Sequence, residues 1–288
     1  MSTIGFPGLG IEPFTINKTA FTIFGLRVQW YALIIVVGIL LALFYFLRRG
    51  TRTEGFSEDD LLNICILVIP ISIIGARAVY VLTSLEKYNS IWDALKIWEG
   101  GLAIYGAILF GLATVLIYCR HRKLPALKLL DALAPAVMLG QIIGRWGNFI
   151  NREAFGVETD IFCRMGLTTP DGVTVFVHPT FLYESLWNFT GLIILYILLR
   201  RGARKYDGQF TWLYVLWYGL GRAWVEGLRT DSLYIGTTDI RVSQLLAIVS
   251  ALIAAVILIV NARKKHSPDE LFVNRSERTK KADGQERS

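Results

Sequence analysis

The sequence predicts an all-α integral membrane protein with seven transmembrane helices, and three observations predict it. Of its 288 residues 53% are hydrophobic and only 18% are charged, an apolar excess that argues against an ordinary soluble protein. The apolar residues collect into uninterrupted runs of about the ~18–20 residues that cross a bilayer core. Lys and Arg are spread unevenly over the loops between those runs, as the positive-inside rule describes.

In chain order the runs are Val28–Leu47, Leu61–Leu82, Leu102–Cys119, Leu129–Ile150, Phe181–Leu199, Phe210–Val225 and Val242–Val260. Together they use roughly half the chain, which leaves no folded soluble domain of useful size. One set of connecting loops carries Arg48, Arg49, Arg52, Arg120, Arg122, Lys123, Lys128, Arg200, Arg201, Arg204, Lys205, Arg263, Lys264 and Lys265. The opposite set carries only Lys18, Arg27, Lys87, Lys96, Arg152, Arg164, Arg229 and Arg241. The expected topology is N-terminus outside and C-terminus in the cytoplasm. The net charge of +7 then reflects orientation signals and headgroup contacts, not a nucleic-acid surface.

The first run starts near Val28 and is long enough to remain as a span, so no cleavable leader is expected. The bundle is expected over residues 1–260. The longest outer loop, about 152–180, reads as a small extracytoplasmic cap with one short strand at Val173–Val177. Residues 261–288 are rich in charge and lack apolar periodicity, and read as a disordered basic cytoplasmic tail. Cys65, Cys119 and Cys163 show no CxxC spacing, and His121, His178 and His266 no HExxH or similar pattern, so neither a metal nor another cofactor is expected.

Charged side chains inside spans are costly, about 2.5–3.5 kcal/mol at a helix centre, so each needs a partner, an aqueous cavity or a task. The fourth run ends in Gly144-Arg145-Trp146-Gly147-Asn148-Phe149-Ile150-Asn151-Arg152-Glu153, which puts Arg145 and Asn148 on one helical face with Asn151 close to it. The sixth carries Tyr218, Arg222 and Glu226 at spacings of four, with Arg229 three residues on, all along one stripe. The fifth places Glu184 about one turn inside its outer end. Tyr31, Arg77 and Tyr105 fall at outer ends by the same topology, so polar groups from six spans share one depth.

Plainer readings stand beside these. Arg77 reads most simply as a side chain snorkelling to outer headgroups, and Gly140-x-x-x-Gly144 as a helix-packing face. Arg222 and Glu226 fit an intrahelical ion pair, Trp30 and Tyr31 an aromatic belt, and Asp131 a helix N-terminal role. Arg145 with Asn148 resists such a reading, because a guanidinium and an amide beside glycines form a donor-rich, closely approachable surface for an oxyanion. Such a site suits an anionic lipid headgroup. If a phosphate were the leaving group, the arginine fork would also stabilise the charge developing on it, which favours a lipid-modifying transferase.

The run Gly144–Glu153 followed by Gly156 resembles the signature of the bacterial phosphatidylglycerol–prolipoprotein diacylglyceryl transferase family. Further matches follow in order: Trp30-Tyr31-Ala32, Gly75-Ala76-Arg77, Glu99-Gly100-Gly101-Leu102-Ala103-Ile104-Tyr105-Gly106, Asp131 with Pro135, His178-Pro179-Thr180-x-Leu182-Tyr183-Glu184, and Gly221-Arg222-x-x-x-Glu226-x-x-Arg229. The resemblance implies a multi-pass enzyme of the bacterial cytoplasmic (inner) membrane with its site facing outward. Its substrates would be phosphatidylglycerol and the signal peptide of a prolipoprotein, whose lipobox cysteine receives the diacylglyceryl group as a thioether while glycerol phosphate leaves. It implies Arg145 on the lipid phosphate and Arg222 as a second essential arginine beside Glu226 and Tyr218. Asn148, Asn151, Glu153 and Gly156 match other signature positions, Tyr31 a tyrosine of the first span, and Glu184 and Arg229 complete the substrate-binding set.

Tyr105 stands where some relatives have a histidine, proposed as general base. A thiol has a pKa near ~8.5 and a tyrosine near ~10, so Tyr105 would serve well only if Arg145 or Arg222 lowered its value. Three options remain: Tyr105 as base, Glu153 or Glu226 as base, or electrostatic activation of the thiolate by the arginines, which is the one favoured. The competing class is a binding or transport protein, such as a seven-span receptor, a retinal protein or a lipid flippase. The seventh run has no lysine for a Schiff base, and no internal repeat marks a transporter.

Overall fold

The computed structural model describes residues 3–88, 90–97, 100–272 and 274. Glu99 of the glycine-rich motif and tail residues 275–288 lie outside the described residues. The elements are β1 (Thr3–Phe6), β2 (Ile11–Thr15), β3 (Thr19–Ile23), β4 (Leu26–Gln29), α1 (Trp30–Arg52), α2 (Glu58–Leu82), α3 (Ile91–Leu95), α4 (Ile104–Arg122), α5 (Ala126–Asn151), β5 (Met165–Thr168), β6 (Thr174–Val177), α6 (Thr180–Arg200), α7 (Gln209–Glu226) and α8 (Val242–Ala262). Every apolar run has become a long helix. Six of these, all but α7, are long and apolar enough to cross a membrane. The 18-residue α7 falls short because its span is interrupted by Arg222, Glu226 and a run of glycines and aromatics.

The part outside the helices differs from expectation. Where one short strand was expected near Val173–Val177, a four-stranded antiparallel sheet in the order β2-β1-β5-β6 is found. The N-terminal strands β1 and β2 pair with the 152–180 loop through Thr3↔Thr168, Ile4↔Leu167 and Gly5↔Gly166. Strands of four or five residues are too short to show a period in sequence, and this pairing joins segments far apart in the chain. One face of the sheet buries Ile4, Phe6, Met165 and Val177 against Phe181 of α6, with Phe149 of α5 and Phe155 packed on them. The cap is thereby fixed to the ends of the two helices that carry Arg145 and Glu184.

The chain forms two compact units, one of residues 1–46 and 133–268, the other of residues 47–132 and 269–288. In the first, Gly140 and Gly144 of α5 face α1, but a β-carbon at either would stand at an ordinary contact distance, 3.8 Å from Ala42 Cβ and 3.5 Å from Ile35 Cδ1, so the spacing leaves room for a small side chain and is not a close-packed glycine face. Helices α6 and α7 are fastened by two tryptophans. Trp187 Nε1 donates to the Trp217 carbonyl and Trp217 Nε1 donates to the Trp187 carbonyl, both at 2.8 Å. The indole rings stack with centroids 4.5 Å apart.

The second unit is built on the packing of α2 against α4. Ser57 caps α2 by accepting from the Asp60 amide, and Asp60 in turn receives Tyr118 Oη at 3.1 Å and Arg122 Nε at 3.0 Å from α4. Arg77 is only 7% exposed and does not snorkel. Its Nε donates to Ala94 O (2.7 Å), its Nη1 to Gly100 O (2.5 Å) and Gly101 O (3.0 Å), and its Nη2 to Asp93 O (3.0 Å). It pins α3 and the glycine turn ahead of α4, where Tyr105 is the second residue. Two of the basic residues read as headgroup contacts are also internal: Arg49 (2.5 Å) and the fully buried Lys128 both pair with buried Glu54. Asp131 is fully buried as well.

Candidate active site

The site is assembled in the first unit from the end of α5, the turn after it, the start of α6 and the end of α7. Helix α5 closes when the Arg152 amide donates to Phe149 O and the Glu153 amide to Asn148 O, both at 3.1 Å. Arg152 and Ala154 then adopt left-handed φ values of 54° and 57°. Left-handed backbone is unusual for residues with a β-carbon. Two such residues flanking Glu153 bend its carboxylate back toward the helix it follows, where Asn148 Nδ2 (2.9 Å) and Asn151 Nδ2 (3.4 Å) donate to its Oε1. The turn is held by Arg152 Nη2, which donates to Ile16 O at 2.9 Å.

Two signature glycines admit neighbours that a side chain would exclude. A β-carbon at Gly147 would sit 2.8 Å from Tyr31 Cδ2, so the absence of one lets the Tyr31 ring of α1 lie on α5 beside Asn148. At Gly156 it would sit 2.7 Å from His178 Cβ and 3.0 Å from Leu228 O. There the Gly156 amide donates to His178 O (2.9 Å), the Val157 amide to Leu228 O (2.8 Å) and the His178 amide to Val157 O (3.1 Å). This crossing of three chain segments fixes Arg229 relative to the mouth of α6.

The charged groups converge on Glu184, one turn into α6 and 5% exposed. Arg145 Nη2 of α5 lies 2.6 Å from its Oε2, Arg222 Nη1 of α7 lies 2.8 Å from its Oε1, and Arg229 Nη1 lies 3.7 Å from the same oxygen. Arg222 also pairs with buried Glu226 at 2.5 Å, the intrahelical pair that the four-residue spacing implied. Arg145 uses its other terminal nitrogen to donate to Asn148 Oδ1 at 3.2 Å. The Arg145 guanidinium is therefore not free, but its side chain keeps 21% of its surface exposed, against 15% for Arg222. Tyr218 stacks on Tyr214 and lines a narrow cleft with Glu184, Trp187, Asn188, Gly221 and Arg222.

Several contributors were given no role at the site from the sequence alone. Asp231 takes a two-pronged bond from Arg229, at 2.9 and 2.7 Å. Burial pushes its carboxyl up, but the Arg229 fork outweighs burial and holds it below the usual carboxylate range. Arg241 donates to the Glu226 carbonyl and caps the end of α7. His178 shares a 3.2 Å hydrogen bond between its Nδ1 and Tyr183 Oη, and burial holds its imidazole below the ordinary value. Arg229 was singled out by its spacing from Glu226, and the signal available for Asp231 was only its nearness to Arg229 in sequence; that for Arg241 as a cap was absent. Tyr105 belongs to the other unit.

Chemically, three guanidiniums facing one carboxylate, with amide donors beside the most accessible of them, form a preorganised anion site. A family model for prolipoprotein diacylglyceryl transferase matches residues 18–260. The chain belongs to that family. Among the diacylglyceryl transferases it resembles, the phosphatidylglycerol–prolipoprotein diacylglyceryl transferase of Finegoldia magna is 42% identical over 250 residues, covering 86% of this chain and 97% of the relative. The transferase 1 of the same name from Clostridium perfringens is 40% identical, covering 90% and 100%, and that of Bacillus velezensis 39%, covering 90% and 97%. In this transferase family member the matched region runs from the turn before β3 to the end of α8, and so takes in every residue of the site.

Proposed function

We propose that the protein transfers the sn-1,2-diacylglyceryl group of phosphatidylglycerol to the thiol of a prolipoprotein's lipobox cysteine, the first step of lipoprotein maturation. Family membership supports the reaction. The observation that carries the site is the convergence of Arg145, Arg222 and Arg229 on Glu184. In the reaction the cysteine sulfur forms a C–S bond to the glyceryl carbon while that carbon's bond to the phosphate oxygen breaks. The electron pair leaves with glycerol phosphate, and the thiol proton passes to a base or to solvent.

Arg145, the most accessible guanidinium, holds the lipid phosphate with Asn148 beside it, and Arg222 and Arg229 meet the charge that grows on the leaving oxygen. Their field also favours the thiolate, so that neither Tyr105 nor Glu153 nor Glu226 need act as a dedicated base. Tyr31, Asn151, Gly156 and Tyr218 shape the site around the two substrates. Pairing of Arg222 with Glu184 and Glu226 lowers the cost of burying a charged helix end, which suits α7 as a further span, the sixth in chain order; its 18 residues extend to about 27 Å. In this reading the N-terminus and the site lie outside the bacterial cytoplasmic membrane, and the signal peptide approaches through the bilayer.

The test uses the purified chain in nanodiscs with labelled phosphatidylglycerol and a lipobox peptide. The expected products are a thioether-modified peptide and glycerol phosphate in equal amounts. Lipid redistribution without glycerol phosphate would instead identify a flippase.

A further inference from the structure

The segment Thr19–Gln29 folds as a hairpin in which, among the described residues, β3 and β4 pair only with each other. The register places Phe21 opposite Val28 on one face and Thr22 opposite Arg27 on the other. Phe21 and Ile23, which share the apolar face, remain 44% and 50% exposed. At the tip Phe24 is fully exposed and holds a left-handed φ of 49°, followed by Gly25 at 81°. A two-residue turn of this kind ordinarily takes Asn or Asp before Gly. An aromatic residue there meets steric resistance that the turn itself does not require.

A two-stranded hairpin with one apolar face has little stability of its own in water. What lies nearest to this one is set by the chain. Strand β4 ends at Gln29 and α1 begins at Trp30 with nothing between, and the Trp30 amide donates to Lys18 O at 2.9 Å. Both ends of the hairpin are thus fastened to the first residue of an apolar helix of membrane-spanning length. Lys18 and Arg27 are exposed cations beside this helix start, with Arg27 on the face opposite Phe21, and cations so placed are drawn to anionic lipid headgroups.

We propose that the β3–β4 hairpin is a membrane-surface anchor whose apolar face and Phe24 ring rest among the lipids of the leaflet in which α1 begins. The anchor sets the depth of the first turn of α1, and hence of Tyr31. It does not depend on the reaction assigned above.

The experiment places p-benzoylphenylalanine at position 24, and separately at position 22, in the full chain reconstituted in vesicles of phosphatidylglycerol and phosphatidylethanolamine. Illumination followed by mass spectrometry reads the adducts. Lipid adducts at 24 several-fold above those at 22 are expected. Equal yields, or adducts formed mainly to a second copy of the chain, overturn the proposal. A nitroxide on Phe24→Cys, compared with one on Thr22→Cys, gives a second reading. The first should collide preferentially with oxygen and the second with a water-soluble nickel complex, and a water-like profile at 24 would refute the anchor.

Discussion

Arg145 and Glu184 meet in a 2.6 Å ion pair between α5 and α6, and the carboxylate so engaged also receives Arg222 and Arg229. Glu184 therefore stands where a lipid phosphate would be drawn. In the function proposed above, the phosphate would share or take over the guanidinium that is most accessible. Arg145→Ala should abolish glyceryl transfer with the protein still inserted. Arg145→Lys should recover little, about 10²–10³-fold below wild type, because a point charge replaces a planar fork of donors. Turnover of labelled phosphatidylglycerol checks both.

Glu184→Gln removes the competing anion and leaves three guanidiniums short of a countercharge. Taking one partner from a buried ion cluster costs about 3–5 kcal/mol, so the melting temperature in detergent should fall. Affinity for a short-chain phosphatidylglycerol should rise, since the phosphate no longer has a rival. A variant of lower stability and weaker lipid binding would contradict this role for Glu184.

If the arginines activate the thiol, Tyr105→Phe should keep turnover within about tenfold of wild type, whereas loss of a true general base costs about 10²–10⁴-fold. The slope of rate against pH, measured in parallel, should be unchanged.

Much of this site was visible as residue spacing. The faces Arg145/Asn148 and Tyr218/Arg222/Glu226 need only helical periodicity, and both are present. Glu184 lies one turn into its helix, as its spacing from Pro179 implied, yet nothing local showed it to be the centre, because its partners come from outside that helix. The fate of Arg77 was misjudged for a related reason: its acceptors are backbone carbonyls of a distant turn, which no side-chain pattern reveals. The sheet built from residues 3–15 and 165–177 escaped for want of length and of any local turn linking its halves.

Ala154 pays for its left-handed backbone. A residue with a β-carbon loses about 1–2 kcal/mol in that conformation, and glycine loses about 0.5–1 kcal/mol of chain entropy instead. Ala154→Gly should leave the melting temperature equal or slightly higher, while Ala154→Val should lower stability by about 1–3 kcal/mol. Thermal unfolding of the two variants decides the matter.

Burial lowers the His178 pKa, so the imidazole is kept neutral in the folded chain. The unfolded chain binds the proton first, near the ordinary value of about 6.5. The contribution of His178 to stability is therefore complete above that pH and is lost as pH falls through the lower, folded-state value. Melting temperature followed from pH 7.5 downward should decline over that window, and less steeply in His178→Gln.

The paired indoles of Trp187 and Trp217 carry a final implication. Each hands its N–H to the other's backbone, so sliding one helix along its neighbour by a single turn would sever both bonds and unstack the rings together. The ratchet-like slippage by which some helical proteins open a path is thus closed to α6 and α7. Whatever yields to admit a bulky two-tailed lipid must do so without disturbing the alignment of Glu184 with Arg222.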